Sequence, residues 1–257
     1  MLARIAAAKA QELAASGDAI MRAFEEACDR LPPPRPFAAA LGAGGRVTLI
    51  AEIKRASPSR GVLREPFDGI ALARAYACQG AGAVSVITER RFFAGHPHLL
   101  GAVRESIDLP VLRKDFIIDE RQLYETRLLG ADAVLLIAAL LGPALGSMAR
   151  LAAGLGLETL VEVHDQEEVA RAADTCATMI GINNRSLRDF SVDTRTCLRL
   201  AALVPAGLPR VAESGIRTPA HMRELEAHGF AAALVGEALV TATDPGAMVR
   251  QLAAYRE

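Results

Sequence analysis

The chain has 257 residues, of which 51% are apolar and 23% charged, and 29 Lys and Arg nearly balance 30 Asp and Glu for a formal net charge of −1. That composition excludes a disordered chain, and the length allows two ordinary domains or one α/β barrel, which typically needs about 250 residues. The balanced charge excludes a global basic field able to hold nucleic acid or an anionic membrane, so any anion site has to be built locally.

Residues 1–46 read as one or two helices, about 2–16 and 18–30, followed by a proline run at 31–36 and a short segment at 37–41. Arg4, Lys9 and Glu12 interrupt the Ala-rich start, so it reads as a helix and not as a secretory segment. The proline run cannot continue a helix. Residues 1–46 are too few to bury a core of their own, so they are expected to pack as an extension on a single domain formed by 47–257.

From residue 47 short apolar runs alternate with helical patterns. The candidate strands are 47–53, 83–88, 110–113, 132–137, 159–163, 178–182, 209–212 and 231–235. They are rich in Val and Ile and nearly continuous in apolar character, as strands buried on both faces are. Helical segments follow at 67–79 and 119–129, ending at Gly80 and Gly130, and at 165–173, where Asp165 and Glu168 resemble a capping box. Thr218-Pro219 and Asp244-Pro245 start the last two helices. Residues 133–149 carry no charge but are too short to span a bilayer, and Gly142-Pro143 breaks them, so a strand, a turn and a helix are expected. Eight strand–helix units predict a (β/α)8 TIM barrel. A doubly wound open sheet is the alternative, but no Gly-x-Gly-x-x-Gly follows the first strand. Cys28, Cys78, Cys176 and Cys197 lie far apart and form no Cys-x-x-Cys pair, which suits free thiols in a reducing cytosol.

Chemistry in such barrels sits at the C-terminal ends of the strands, and nearly every candidate strand ends in a polar group. Glu52 and Lys54 are two apart and face one side. The other ends carry Thr88-Glu89, Arg113-Lys114-Asp115-Phe116, Glu162, Asn183-Asn184-Arg185, Glu213-Ser214-Gly215 and Gly236-Glu237. The bland alternative is a ring of salt bridges closing the barrel; so many charges converging on one mouth favour a site. Gly215 and Gly236 stand in the two loops that often bind phosphate in barrels, with Arg185 as a candidate clamp and Ser57 as a candidate hydroxyl donor.

The run Leu49-Ile-Ala-Glu-Ile-Lys-Arg-Ala-Ser-Pro-Ser-Arg-Gly61 resembles the first-strand signature of the indole-3-glycerol-phosphate synthase family. Leu112-Arg-Lys-Asp-Phe-Ile117, Leu160-Val-Glu-Val-His164, Ile180-Gly-Ile-Asn-Asn-Arg-Ser-Leu187 and Ala212-Glu-Ser-Gly-Ile216 also resemble that family, in the same order, and the likeness covers essentially the whole chain. It implies conversion of 1-(2-carboxyphenylamino)-1-deoxyribulose 5-phosphate to indole-3-glycerol phosphate, CO2 and water in tryptophan biosynthesis, with no metal or organic cofactor. Lys114 matches the general acid, and Lys54 the lysine at the substrate carboxylate. Glu162 and Glu52 match the acidic pair, and Asn183 an orienting amide. Glu213 and Ser214 match substrate contacts, and Ser57, Arg185, Gly215 and Gly236 match phosphate contacts. Phe93, Phe116 and Leu187, with Phe92, are candidates to pack the aromatic ring.

The sequence departs from the family where Phe-x-Gly-Ser is usual: here it is Phe93-Ala-Gly-His96. His96 and His98 lack an evident third metal ligand, and His164 reads as a histidine on the surface or behind the site. Other readings are an isomerase of the phosphoribosylanthranilate type, disfavoured because no cysteine ends a strand, and a non-catalytic or secondary-metabolite paralogue binding the same sugar phosphate. The expected protein is monofunctional, cytoplasmic, and a monomer or weak homodimer, with a small-molecule partner and neither nucleic acid nor membrane.

Overall fold

The computed structural model describes residues 2–14, 20–187 and 189–256. Eight parallel strands among them close into a barrel: β1 (Thr48–Ile53), β2 (Ala83–Ile87), β3 (Val111–Lys114), β4 (Ala133–Ile137), β5 (Glu158–Val163), β6 (Met179–Asn183), β7 (Arg210–Glu213) and β8 (Ala232–Val235). Closure is made by β1, which pairs Ala51 with Val235 of β8 and Glu52 with Ser85 of β2. Each expected strand is present within a residue or two of its expected bounds.

Alternation sorts each strand into two faces. Outward residues such as Leu49, Ile53, Val84, Val161 and Ile182 join the surrounding helices in one core. Inward residues, Ile50, Leu112, Leu135, Leu160, Met179, Val211 and Leu234, fill the barrel. Above them the inward positions turn polar. Space for this comes from glycine: a Cβ at Gly181 would collide with the Glu213 carboxylate, and one at Gly236 with that of Glu52.

The outer helices begin where the caps predict. Asp68 caps α3 (Gly69–Cys78), so the helix expected from residue 67 starts two residues later. Asp119 forms a capping box with Gln122 on α5 (Glu120–Leu128), and Thr218 and Asp244 cap α10 (Pro219–Ala227) and α12 (Pro245–Ala253). At α8 (Gln166–Ala173) only half of the expected box exists: Asp165 accepts from the Glu168 N–H, but the Glu168 carboxylate turns to the N–H of His164 at 2.8 Å. The uncharged stretch resolves as β4, a short helix α6 (Ala138–Leu141), a turn and α7 (Leu145–Gly154). No helix among the described residues is long and apolar enough to cross a membrane.

The extension runs the height of the barrel. Helix α1 (Leu2–Ala14) lies at the mouth, where Lys9 reaches Asp115 at 3.0 Å. Helix α2 (Ile20–Cys28) packs on α5, with the Cys28 thiol directed to the Tyr124 carbonyl. Residues 15–19, the end of the first expected helix and the start of the second, lie outside the described residues. The prolines then lead to Arg35, whose guanidinium donates to the carbonyls of Ile107 and Leu109 at 2.9 Å. Phe37, fully buried, joins the core inside the barrel beneath Ile50 and Met179. Phe37→Ala therefore opens a cavity at the base, and urea unfolding is expected to show a loss of about 3–5 kcal/mol.

Candidate active site

The inward strand ends surround a cavity of about 410 Å³ at the C-terminal mouth. Lys114, Glu162, Lys54, Glu52, Asn183, Glu213, Ser214, Phe116, Leu187, Phe93, Ser57, Arg185, Gly215 and Gly236 all line it. Phe92 does not. The strand-end charges divide by direction. Lys54 and Lys114 face inward, whereas Arg113 points at the helices. Arg113 spends its donors on Thr88, the Gln122 carbonyl, Thr126, Asp115 and Glu125. A guanidinium this buried persists because its donors are paired, so Arg113 braces β3, while Asp115 and Glu89 reach the cavity wall with their carboxylates already engaged by other groups. Glu89 is likewise committed elsewhere: its carboxylate accepts from the N–H groups of Arg91, Phe92 and Phe93, shaping the loop that delivers Phe93.

Lys114 is the electrostatic centre. Its Nζ lies 3.4 Å from both Glu162 Oε2 and Glu213 Oε2. Burial opposes its charge, but Glu162, Glu213 and Glu52 outweigh burial and hold the ammonium above its ordinary range. Burial also opposes ionisation of Glu162, yet Lys114, His164 and Asn183 keep it well below the usual carboxylate range. Glu213 goes the other way. Burial, against the pull of Lys114, together with the nearby Glu162 and Glu52, pushes it up to about 8. Two adjacent carboxyls are thus driven in opposite directions, Glu162 toward the ionised form and Glu213 toward the protonated one. The second lysine makes a separate pair, Lys54 Nζ to Glu52 Oε1 at 2.8 Å.

The wall is apolar on one side and cationic on the other. Phe93 and Phe116, from the loops after β2 and β3, stand 6.1 Å apart and tilted. Leu2 and Ile5 of α1 complete that side. Opposite, around β7, β8 and β1, three arginines gather on one carboxylate: Arg60 at 2.9 Å, Arg217 at 3.0 Å and Arg185 at 3.9 Å from Glu237. Ser57 Oγ is buried there without a hydrogen-bond partner. Ser214 and Gly215 are both left-handed, with φ of 64° and 84°, a turn pinned by the Asn184 side chain donating to the Ser214 carbonyl at 3.0 Å. Asn183 Oδ1 accepts from the Arg185 N–H at 2.9 Å, which orients the amide.

Sequence reasoning missed Leu2, Ile5, Arg60 and Arg217. Position on a strand end does not mark them, because loops and α1 carry them. It placed His164 on the surface or behind the site. The ring is largely buried, with Nε2 3.3 Å from Glu162 Oε1 and Nδ1 3.1 Å from Glu168 Oε2. Burial opposes its charge too, but the two carboxylates outweigh it and raise His164 to about 10. His96, where the family usually has Ser, is exposed and caps α4 (Pro97–Ser106): its Nδ1 accepts from the His98 N–H at 3.3 Å. It supplies the N-cap of that helix, a position serine also favours, and stays out of the cavity. Among the described residues no group of three or more His, Cys, Asp or Glu side chains is arranged to hold a metal ion.

The chain matches the family model for indole-3-glycerol phosphate synthase over residues 2–252. An indole-3-glycerol phosphate synthase of Chloroherpeton thalassium is 50% identical over 236 residues, covering 90% of this chain and 88% of the relative. One from Desulfotalea psychrophila is 46% identical over 254 residues, covering 98% of each. Among solved structures, KGPDC from Streptococcus mutans aligns with a TM-score of 0.62 at 12% identity, over 82% of this chain and 97% of that one, and supports the barrel fold alone. Family model, relatives and barrel agree, and the chain belongs to the indole-3-glycerol phosphate synthase family.

Proposed function

We propose that the chain closes the ring of 1-(2-carboxyphenylamino)-1-deoxyribulose 5-phosphate to indole-3-glycerol phosphate, releasing CO2 and water, as a carboxy-lyase of tryptophan biosynthesis. One observation carries the assignment of roles: a buried, charged Lys114 sits between two carboxyls in a cavity with phenylalanines on one side and arginines on the other. A substrate with an aromatic carboxylate at one end and a phosphate at the other has the complementary polarity.

In this reading Phe93, Phe116 and Leu187 pack the aromatic ring, and Arg185, Ser57 and the backbone at Gly215 and Gly236 take the phosphate. Glu237 holds the arginines in place of an anion, and Ser57 Oγ supplies an unused donor. Lys114 donates its proton to the C2′ carbonyl oxygen as the ring carbon attacks, so the new C–C bond forms without a free alkoxide. A positioned acid of this kind typically contributes about 10²–10⁴-fold. The carboxylate then leaves as CO2, and its bonding pair restores the aromatic ring. Lys54, paired with Glu52, holds the substrate carboxylate and assists the later departure of the C2′ hydroxyl as water. Glu162 takes up the proton released in that step, Asn183 orients it, and Glu213 and Ser214 hold the sugar hydroxyls.

Protonation of Glu213 matters to Lys114. With Glu213 neutral, the ammonium faces less negative charge and is a stronger acid. We further take residues 1–46 as an extension of one domain, because Phe37 lies inside the barrel. We take the protein to act in the cytoplasm as a monomer or weak homodimer, since one chain lines the whole cavity and its cysteines are free.

Lys114→Ala is expected to lower kcat by about 10²–10⁴-fold in a fluorescence assay for the indole product, with the far-UV spectrum of the barrel retained. Arg185→Ala is expected to raise KM with little change in kcat, as loss of uniform binding does; a collapse of kcat alone would place Arg185 in the chemistry. The pH profile of kcat/KM is expected to fall as pH rises through about 8, where Glu213 ionises, and Glu213→Gln is expected to remove that limb.

A further inference from the structure

His164 follows β5 in the same inward phase as Glu162, two residues on. Its ring lies between two carboxylates, with Nε2 3.3 Å from Glu162 Oε1, an ion-pair distance without hydrogen-bond alignment, and Nδ1 3.1 Å from Glu168 Oε2. The same Glu168 oxygen accepts the His164 main-chain N–H at 2.8 Å. Glu168 therefore grips both ends of one residue, and it does so instead of closing the capping box on α8. The other oxygen of Glu162, Oε2, is the one that meets Lys114 at 3.4 Å. Glu168, His164, Glu162 and Lys114 thus form one chain of contacts from the first turn of α8 to the barrel axis.

We propose that His164, held by Glu168, is a positioning residue for the reaction: its ring attracts Glu162 Oε1 at ion-pair distance and so keeps Oε2 turned to Lys114. The inference rests on the proposed roles of Lys114 and Glu162. A carboxylate on a strand end can rotate about its terminal bond, and a bound substrate carries charges that would pull it. A partner on one oxygen leaves one orientation. The held histidine is also cationic at neutral pH, since the two carboxylates raise its pKa to about 10. It therefore helps to keep Glu162 ionised. The other groups facing Glu162 are Lys114 from β3, Glu213 from β7 and the neutral Asn183 amide from β6. Those facing His164 are Glu162 and Glu168.

The test compares wild type, His164→Ala, His164→Gln, Glu168→Gln and Lys114→Ala in one steady-state assay with the carboxyphenylamino-deoxyribulose phosphate. Melting temperatures are measured alongside. His164→Ala is expected to lower kcat about 10–10²-fold, the range that a misplaced catalytic group costs, with KM changed less than about threefold. The acid limb of its kcat profile is expected to move to higher pH, because Glu162 loses a neighbouring cation. His164→Gln, whose amide can reach Glu162 but carries no charge, is expected to recover part of kcat but not the limb. Glu168→Gln is expected to have a smaller effect that vanishes in the His164→Ala background, as coupled positions do. Stability gives an independent reading. A histidine whose folded value is raised from 6.5 to about 10 stabilises fully below pH 6.5 and loses that contribution as pH rises through about 10. His164→Ala is expected to flatten that alkaline decline. Wild-type kcat and acid limb in folded His164→Ala would overturn the proposal, as would a fall in activity that only tracks the unfolded fraction. If Lys114→Ala itself kept wild-type kcat, the underlying assignment would fail instead.

Discussion

A lysine cannot be buried on a barrel axis without negative charge around it, and most of the mouth follows from meeting that need for Lys114. Glu162 of β5 and, from across the barrel, Glu213 of β7 each stand 3.4 Å away, and Glu52 of β1 adds its field. The side chains of these carboxylates also need volume. Gly181 and Gly236 supply it, each at an inward position where a Cβ would meet a glutamate. A glycine that reads in sequence as a loop or phosphate contact is, at Gly236, also the space that Glu52 occupies. Charge and packing are therefore solved together. Glu52 has Lys54, but Glu162 and Glu213 share the one ammonium of Lys114, and burial with the neighbouring carboxylates pushes Glu213 up while Lys114 and His164 hold Glu162 low.

The same logic sorts the remaining strand-end charges. Successive residues of β3 point to opposite faces, so Lys114 enters the cavity while Arg113 enters the helical layer, and Asp115, just past the strand, sits between them at the cavity wall. Arg113 donates to Thr88 and Asp115, just past β2 and β3, and to Gln122 and Glu125 of α5, and Asp115 takes Lys9 of α1. The lysine of the site and the anchor of the N-terminal helix are thus adjacent residues of one strand. A helix that contributes Leu2 and Ile5 to the apolar wall is tied to the strand that carries the proton donor.

Much of this was legible in one dimension because its causes are local. Continuous Val- and Ile-rich runs mark strands covered on both faces, and all eight were found. Asp119, Thr218 and Asp244 mark helix starts because a side-chain oxygen meets N–H groups two or three residues on. Glu52 and Lys54 share a face because strands alternate, and their pairing at 2.8 Å needs nothing distant. His96 departs from the family residue yet caps α4, a substitution whose consequence is confined to one turn.

What sequence alone determined, then, is the strand count, the order of the elements, the caps and the set of polar strand ends. Each depends on periodicity or on contacts within a few residues. Only the closed barrel decided which of those polar ends meet. Arg60 and Arg217 come to Glu237 from loops 177 and 20 residues away in sequence, and Phe37 reaches the interior by way of the extension's path down the wall. The choice of Glu168 between its own helix cap and His164 is of the same kind. Local geometry permits both, and the buried imidazole beside Glu162 selects one, because a charge held away from water takes every partner within reach.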